Sequence, residues 1–163
     1  MVLQSKITVY VALAGVFAMM GGIIYYASLG NVELEQVEIE LQSVELIESS
    51  LQKDQVKFNV TFLVENPSDT TFTVSVIQYD LYADGILLGS GKYSTEDVSM
   101  PGRASFFPDT EIPLKNIFVL NKSVVPEIFQ DVIDDSVKKF TAEGVITTQT
   151  TWSTIEKEFK SEF

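Results

Sequence analysis

The sequence predicts a mainly-β chain: an antiparallel two-layer β-sandwich with one α-helix near the C-terminus, preceded by a single N-terminal transmembrane helix. Three observations predict it. The first thirty residues carry one charged side chain, Lys6, whereas residues 31–163 hold 10 basic and 23 acidic groups. Past Gly30 apolar residues recur at every second position, the spacing of half-buried strands. Between Ser123 and Lys139 the spacing becomes three and four, that of a helix face. With 163 residues there is room for about one domain, so the chain divides into a 1–30 anchor and a 31–163 domain.

The anchor is read from ITVYVALAGVFAMMGGIIYY, residues 7–26, which holds no charge. As a helix it spans about 30 Å, the thickness of a bilayer's hydrocarbon core. Tyr10 and Tyr25–Tyr26 fall where interfacial rings are favoured. A cleaved signal peptide is the rival reading. Its apolar run is normally shorter, and cleavage after Ala27 or Ser28 puts a tyrosine where a small residue belongs. Lys6 and the terminal amine precede the helix, while Glu33, Glu35, Glu38 and Glu40 follow it. The positive-inside tendency therefore places the N-terminus in the cytoplasm and residues 31–163 outside a single-pass cell-membrane protein. Ala14, Ala18 and Gly22 repeat every four residues, a spacing that lets another membrane helix approach closely.

In the acidic remainder, Val37, Ile39 and Leu41 alternate with Glu38, Glu40 and Gln42. Val32 and Leu34 are one residue out of phase, which predicts a bulge or bend near Gln36. Val56, Phe58, Val60, Phe62 and Val64 form the clearest strand, with Lys57, Asn59, Thr61 and Glu65 facing water. Asn66-Pro67-Ser68-Asp69 breaks the pattern as a turn. Phe72, Val74 and Val76 resume it, followed by Tyr79 and Leu81. Asp84-Gly85 is a hairpin signal, Ile86 and Leu88 begin the return strand, and Gly89-Ser90-Gly91 loosens it. Pro101-Gly102 is a turn. Phe106 to Leu114 reads as a strand near an edge, because Pro108 and Pro113 interrupt it.

The helix is expected over Ser123–Lys139, with Ser123 as N-cap, Pro126 in the first turn and Lys138-Lys139 at the C-terminal end. Val125, Ile128, Phe129, Val132, Ile133 and Val137 form its apolar face. A strand follows at Phe140–Thr148. The tail fits either element: Trp152, Ile155, Phe159 and Phe163 suit a helix face, yet charged residues alternate strictly with Ile155 and Phe159. The β-formers over Thr147–Thr151 favour a strand.

The stretch VKFNVTFLVENPSDTTFTVSVIQYDLYADGILLGSG, Val56–Gly91, resembles the WHy domain of the late embryogenesis abundant group 2 (LEA14-like) family. The shared features are a strand ending in Asn66-Pro67, a strand bearing Tyr79 and Tyr82, a hairpin, and Gly89-Ser90-Gly91. The helix before the strand around Gly144 is also similar. The resemblance spans about residues 31–160. It implies a fibronectin- or immunoglobulin-like sandwich with one helix, a link to stress or desiccation tolerance and, in many members, an N-terminal membrane anchor. It carries over no catalytic residue. Asn66, Pro67, Gly85, Gly89 and Gly91 are then determinants of the fold.

The residues themselves hold little chemistry. Without His and Cys, Ser–His–Asp catalysis, thiol nucleophiles and thiolate metal sites are excluded. No phosphate loop, dinucleotide fingerprint or HExxH motif is present, and no cofactor or small-molecule substrate is evident. A net charge of −12 argues against nucleic acid. Asp131, Asp134 and Asp135 read as a solvated helix face, and Glu33, Glu35, Glu38 and Glu40 as a solvated stalk. Two glycosylation sequons occur, at Asn59 and Asn121. The expected function is non-catalytic: a membrane-anchored domain that binds or protects proteins or membranes under water stress. The alternative is an assembly protein. It would be either an accessory subunit of a membrane complex, docked through Ala14, Ala18 and Gly22, or a pilin-like filament subunit. The Lys6-Ile7 junction fits poorly with the processing that filament subunits undergo.

Overall fold

The computed structural model describes residues 2–50, 54–95, 105–134, 136–151 and 153–163. The expected Pro101-Gly102 turn, Asp135, Trp152 and the side chains of Val32 and Glu33 lie outside the described residues. The chain runs α1 (Val2–Leu34), β1 (Glu38–Ser50), β2 (Gln55–Asn66), β3 (Phe72–Ala83), β4 (Ile86–Ser94), β5 (Ser105–Phe106), β6 (Thr110–Asn121), α2 (Phe129–Ile133), β7 (Phe140–Gln149) and β8 (Thr154–Glu162).

All strand pairings are antiparallel. One sheet has three strands in the order β1-β2-β6; the other runs β4-β3-β7-β8, with β5 also pairing β3. The expected mainly-β sandwich is therefore present, and the tail is the expected strand, β8. The alternating apolar residues of β2, from Val56 to Val64, are buried, as are Val37, Ile39 and Leu41. They pack against Ile77, Tyr79, Leu81 and Ile146 of the facing sheet in one core. Edges β1 and β8 are stitched together where the Leu41 N–H donates to the Ser161 hydroxyl at 2.8 Å.

The hairpin at Asp84-Gly85 forms as expected. Ala83 pairs with Ile86 across a two-residue loop whose φ values are +47° and +84°. Both central residues with positive φ make the turn whose twist matches the flanking strands, and glycine accepts that φ without steric cost.

Several sequence expectations need correction. The helix does not stop at Gly30. It continues to Leu34, whose side chain is buried in the core with Val37, three residues on. The out-of-phase pair Val32/Leu34 is thus the last helical turn, and the expected bend near Gln36 is the turn at Glu35–Gln36 that follows it. Within β3 the phase breaks earlier than read: a register shift lies between Val74 and Val76, so Ile77 faces inward and Val76 does not. Thr61 is buried on the outer side of the three-stranded sheet, flanked by β1 and β6, and does not face water. The Phe106–Leu114 stretch is two strands, split by a turn at Phe107–Asp109, and the second continues to Asn121.

The Ser123–Lys139 helix is the largest departure. Only Phe129–Ile133 is helical, Ile128 is its N-cap, and no side chain caps it. The apolar face is nonetheless right, since Val125, Ile128, Phe129 and Val132 are all buried. The shortening comes from competing tertiary bonds. The Asp84 N–H donates to the Lys139 carbonyl at 2.9 Å, and the Lys138 N–H donates to Asp84 Oδ2 at 3.2 Å. The hairpin thereby holds both lysines extended. At the front, Val124-Val125-Pro126 combines β-branching with a missing N–H, which weakens helix nucleation.

Candidate functional site

Asn66 ends β2 and is fully buried. Its amide nitrogen donates to the carbonyls of Thr70 at 2.9 Å and Phe106 at 3.0 Å. Its Oδ1 accepts from the Ser68 N–H at 3.1 Å and the Ser68 hydroxyl at 2.7 Å. The Asn66 carbonyl accepts the Asp109 N–H at 2.9 Å. One side chain therefore folds the β2–β3 turn and ties it to β5, on the other sheet. Pro67 is exposed beside it. Phe106 stacks on Phe72 with centroids 5.1 Å apart, which fills the space below this corner.

Tyr79 forms a second focus. Its strand neighbours in register are Gly91 on β4 and Gly144 on β7. A Cβ on Gly91 would lie 2.8 Å from Tyr79 Cε1, and one on Gly144 would lie 2.7 Å from Tyr79 Cα and overlap the Gln78 carbonyl oxygen. The ring meets Phe62 edge-on at 4.8 Å, and its hydroxyl accepts from Asn116 Nδ2 of β6 at 2.8 Å. Burial pushes this phenol up to about 12, against a smaller downward pull from the Asn116 bond. Burial also raises Tyr93. Gly89 lies at a bulge in β4 with φ +147°, and a Cβ there would lie 3.4 Å from the Phe118 ring. Asn66, Gly89 and Gly91 thus sit where side-chain packing and turn hydrogen bonds meet.

The outer face of the five-stranded sheet bears two adjoining shallow depressions of about 460 and 540 Å³. Asp80, Glu143, Gly144 and Val145 line both. Lys160 contacts Glu143 at 2.6 Å, which raises the lysine, and the Ser90 hydroxyl donates to Asp80 at 2.5 Å. Lys139 contacts Glu162 at 2.6 Å and lowers that carboxyl. Among the described residues no group of three or more acidic side chains could hold a metal ion. Asp131, Asp134, Glu35, Glu38 and Glu40 are solvent-exposed.

The two sequons differ. Asn59 is half-buried on central strand β2, between Glu45 of β1 and Ile117 of β6. Asn121 is the last residue of β6, not a loop residue, and its carbonyl accepts the Val124 N–H at 3.0 Å in a tight turn.

Lys6–Tyr26 is long and apolar enough to cross a membrane, a test that a signal sequence also passes. Ala14, Ala18 and Gly22 are exposed, and nothing lies within 4 Å of a Cβ built on Gly22. The end of the helix is tied to the sandwich by a contact from β8. The Lys157 ammonium of β8 donates to the carbonyls of Glu35 at 2.8 Å and Val37 at 2.6 Å. A cation at a helix C-terminus also complements the helix dipole. Lys157 stands on the inward phase of β8, between Ile155 and Phe159, and that misplaced charge was its only signal. Gly144 and Asn116 were likewise missed; nothing in one sequence marks them as Tyr79's neighbours.

No protein-family model matches the chain, and no curated protein matches it. Solved structures do. A solution structure from Arabidopsis thaliana is 20% identical with a TM-score of 0.52, over 77% of this chain and 80% of that one. A crystal structure from Archaeoglobus fulgidus is 20% identical with a TM-score of 0.46, over 76% and 96%. A solution structure described as a late embryogenesis abundant protein is 14% identical with a TM-score of 0.42, over 90% and 83%. At these identities the likeness is one of fold, and the Arabidopsis structure shares this sandwich.

Proposed function

We propose that this chain is a membrane-anchored, non-catalytic WHy/LEA-2-like domain that binds or shields proteins or membranes under water stress. One observation carries the reading: an acidic sandwich with shallow outer faces hangs directly from a helix long enough to span a bilayer. Its carboxylates are spread along strand faces, as on β1 and β8, and among the described residues no three of them gather as a metal site would need. Such a surface holds water and resists association. The Asn66-Pro67 corner and the sandwich fold support the family resemblance. In this reading the N-terminus is cytoplasmic, the domain lies outside, and no cofactor, nucleic acid or small-molecule substrate is needed.

The test uses the full chain reconstituted in phosphatidylcholine vesicles and dried with a labile test enzyme. Less aggregation on rewetting than with empty vesicles is expected, without added metal or nucleotide. Neutralising exposed carboxylates on β1 and β8 should erode the effect in steps. No protection, together with a sharp assembly defect in Gly22→Leu, would favour the alternative of an accessory or filament subunit. That alternative has the uncovered Ala14/Ala18/Gly22 face in its support.

A further inference from the structure

We propose that Asn121, and not Asn59, accepts an N-linked glycan. The sequence offers both as Asn-x-Ser/Thr sequons, and the geometry separates them. At Asn59 the chain is held on both sides by the β1 and β6 ladders. The hydroxyl residue of that sequon, Thr61, is only 4% exposed. The Asn59 amide is half-buried, and the Thr61 hydroxyl is closed off in the folded sheet. At Asn121 the strand ends. The residues Lys122, Ser123 and Val124 are exposed, and the Asn121 carbonyl closes the turn onto Val124. Among the described residues no protein group bonds the Asn121 side chain. The turn is kept in place by the Lys122 N–H, which donates to the Asp54 carbonyl at 2.9 Å. The half-exposed Asn121 and the exposed Ser123 of its sequon therefore lie together where the sheet ends.

A second observation points to the same corner. Val124 and Ile86 flank a hollow of about 270 Å³ and are 61% and 45% exposed. A glycan on Asn121 starts beside this apolar spot, and the C–H faces of its first sugars can cover it. The corner also lies at the end of the sandwich opposite the one where α1 enters β1, so the lipid surface does not obstruct it.

In the reaction, Nδ2 of Asn121 forms a bond to the anomeric carbon of a polyprenyl-phosphate- or diphosphate-linked glycan. The anomeric C–O bond to the phosphate breaks, the phosphate leaves with the electron pair, and Nδ2 gives up one proton to solvent. A membrane transferase of the host supplies the catalysis. The proposal rests on the outside placement of residues 31–163 in the reading above.

The full chain is translated with endoplasmic-reticulum microsomes as wild type, Asn59→Gln and Asn121→Gln. A further variant carries an added C-terminal sequon as a control. One endoglycosidase-sensitive mobility step is expected for wild type, kept in Asn59→Gln and lost in Asn121→Gln. Unglycosylated Asn121→Gln chain should bind more of an apolar-surface dye than glycosylated wild type while keeping its β-sheet spectrum. A step that depends on Asn59 overturns the assignment. An unmodified wild type with a modified control shows that the domain is outside and Asn121 is not used. If the control is unmodified too, the outside placement fails and the proposal falls with it.

Discussion

Replacing Asn66 by Asp changes one NH2 into an oxygen and keeps the shape. The two Ser68 bonds to Oδ1 survive. The two donated bonds, to Thr70 and Phe106, do not. Each such bond contributes about 1 kcal/mol net, so their loss costs about 2 kcal/mol. Two carbonyls then face a buried carboxylate oxygen, which brings the total to about 3–5 kcal/mol at neutral pH. The carboxyl escapes part of this by holding its proton, so its folded-state pKa rises above the unfolded value of about 4. With the folded value raised, the protonated native form is favoured at low pH. Stability of the variant is therefore highest below pH 4 and falls as pH rises through the folded pKa. Asn66→Ala loses all four bonds with no such pH dependence. Urea unfolding of the full chain in mild detergent, followed by β-sheet circular dichroism from pH 3.5 to 8, measures both. An Asn66→Asp loss under about 1 kcal/mol at pH 7, or equal pH profiles for the two variants, would refute the hydrogen-bond account.

Gly144→Ala drives a methyl into the backbone at Gln78–Tyr79 and should cost about 3 kcal/mol or more. Gly91→Ala meets the Tyr79 side chain and not backbone among its nearest atoms and should cost less; unfolding midpoints rank them. Tyr79 keeps its proton to about pH 12, whereas the unfolded phenol loses it near 10. Stability on the order of 2–3 kcal/mol is present below pH 10 and lost as pH rises to 12, and Tyr79→Phe should flatten that decline in alkaline urea titrations. Lys157→Met removes two charge-assisted bonds at the end of α1 and should cost about 1.5–3 kcal/mol. It should also broaden spin-label distances between Tyr26 and β8; unchanged distances would show that Lys157 does not fix the junction.

How much was legible follows from which forces acted locally. Strand β2 could be read because its alternation and its burial coincide from Val56 to Val64 at every residue but Thr61. The Asp84-Gly85 hairpin could be read because its backbone demand is met by two adjacent residues. The Val74–Tyr79 phase break was visible as an odd spacing, but the bulge that resolves it depends on the pairing with β7. The helix after Ser123 failed for a different reason. Its apolar face is real, yet a burial face does not fix the backbone when Asp84, far along the chain, pulls Lys138-Lys139 straight. Asn66 showed its importance through the resemblance, whereas Lys157 and Asn116 bond groups far along the chain, and a single sequence does not say which.

The Asn66-Pro67 dipeptide has a further consequence, in the chemical lifetime of the protein. Asparagine ages into aspartate chiefly when the backbone nitrogen of the following residue attacks the side-chain amide and closes a five-membered imide. That nitrogen must shed a hydrogen to do so, and the proline nitrogen carries none. The amide whose conversion would place a charge among the carbonyls of Thr70 and Phe106 is thus followed by the one residue that blocks the usual route to that conversion. Full burial under the turn also keeps water from direct hydrolysis. The spontaneous lesion that would break the hydrogen bonds of this corner is thus closed off by the covalent structure next to it.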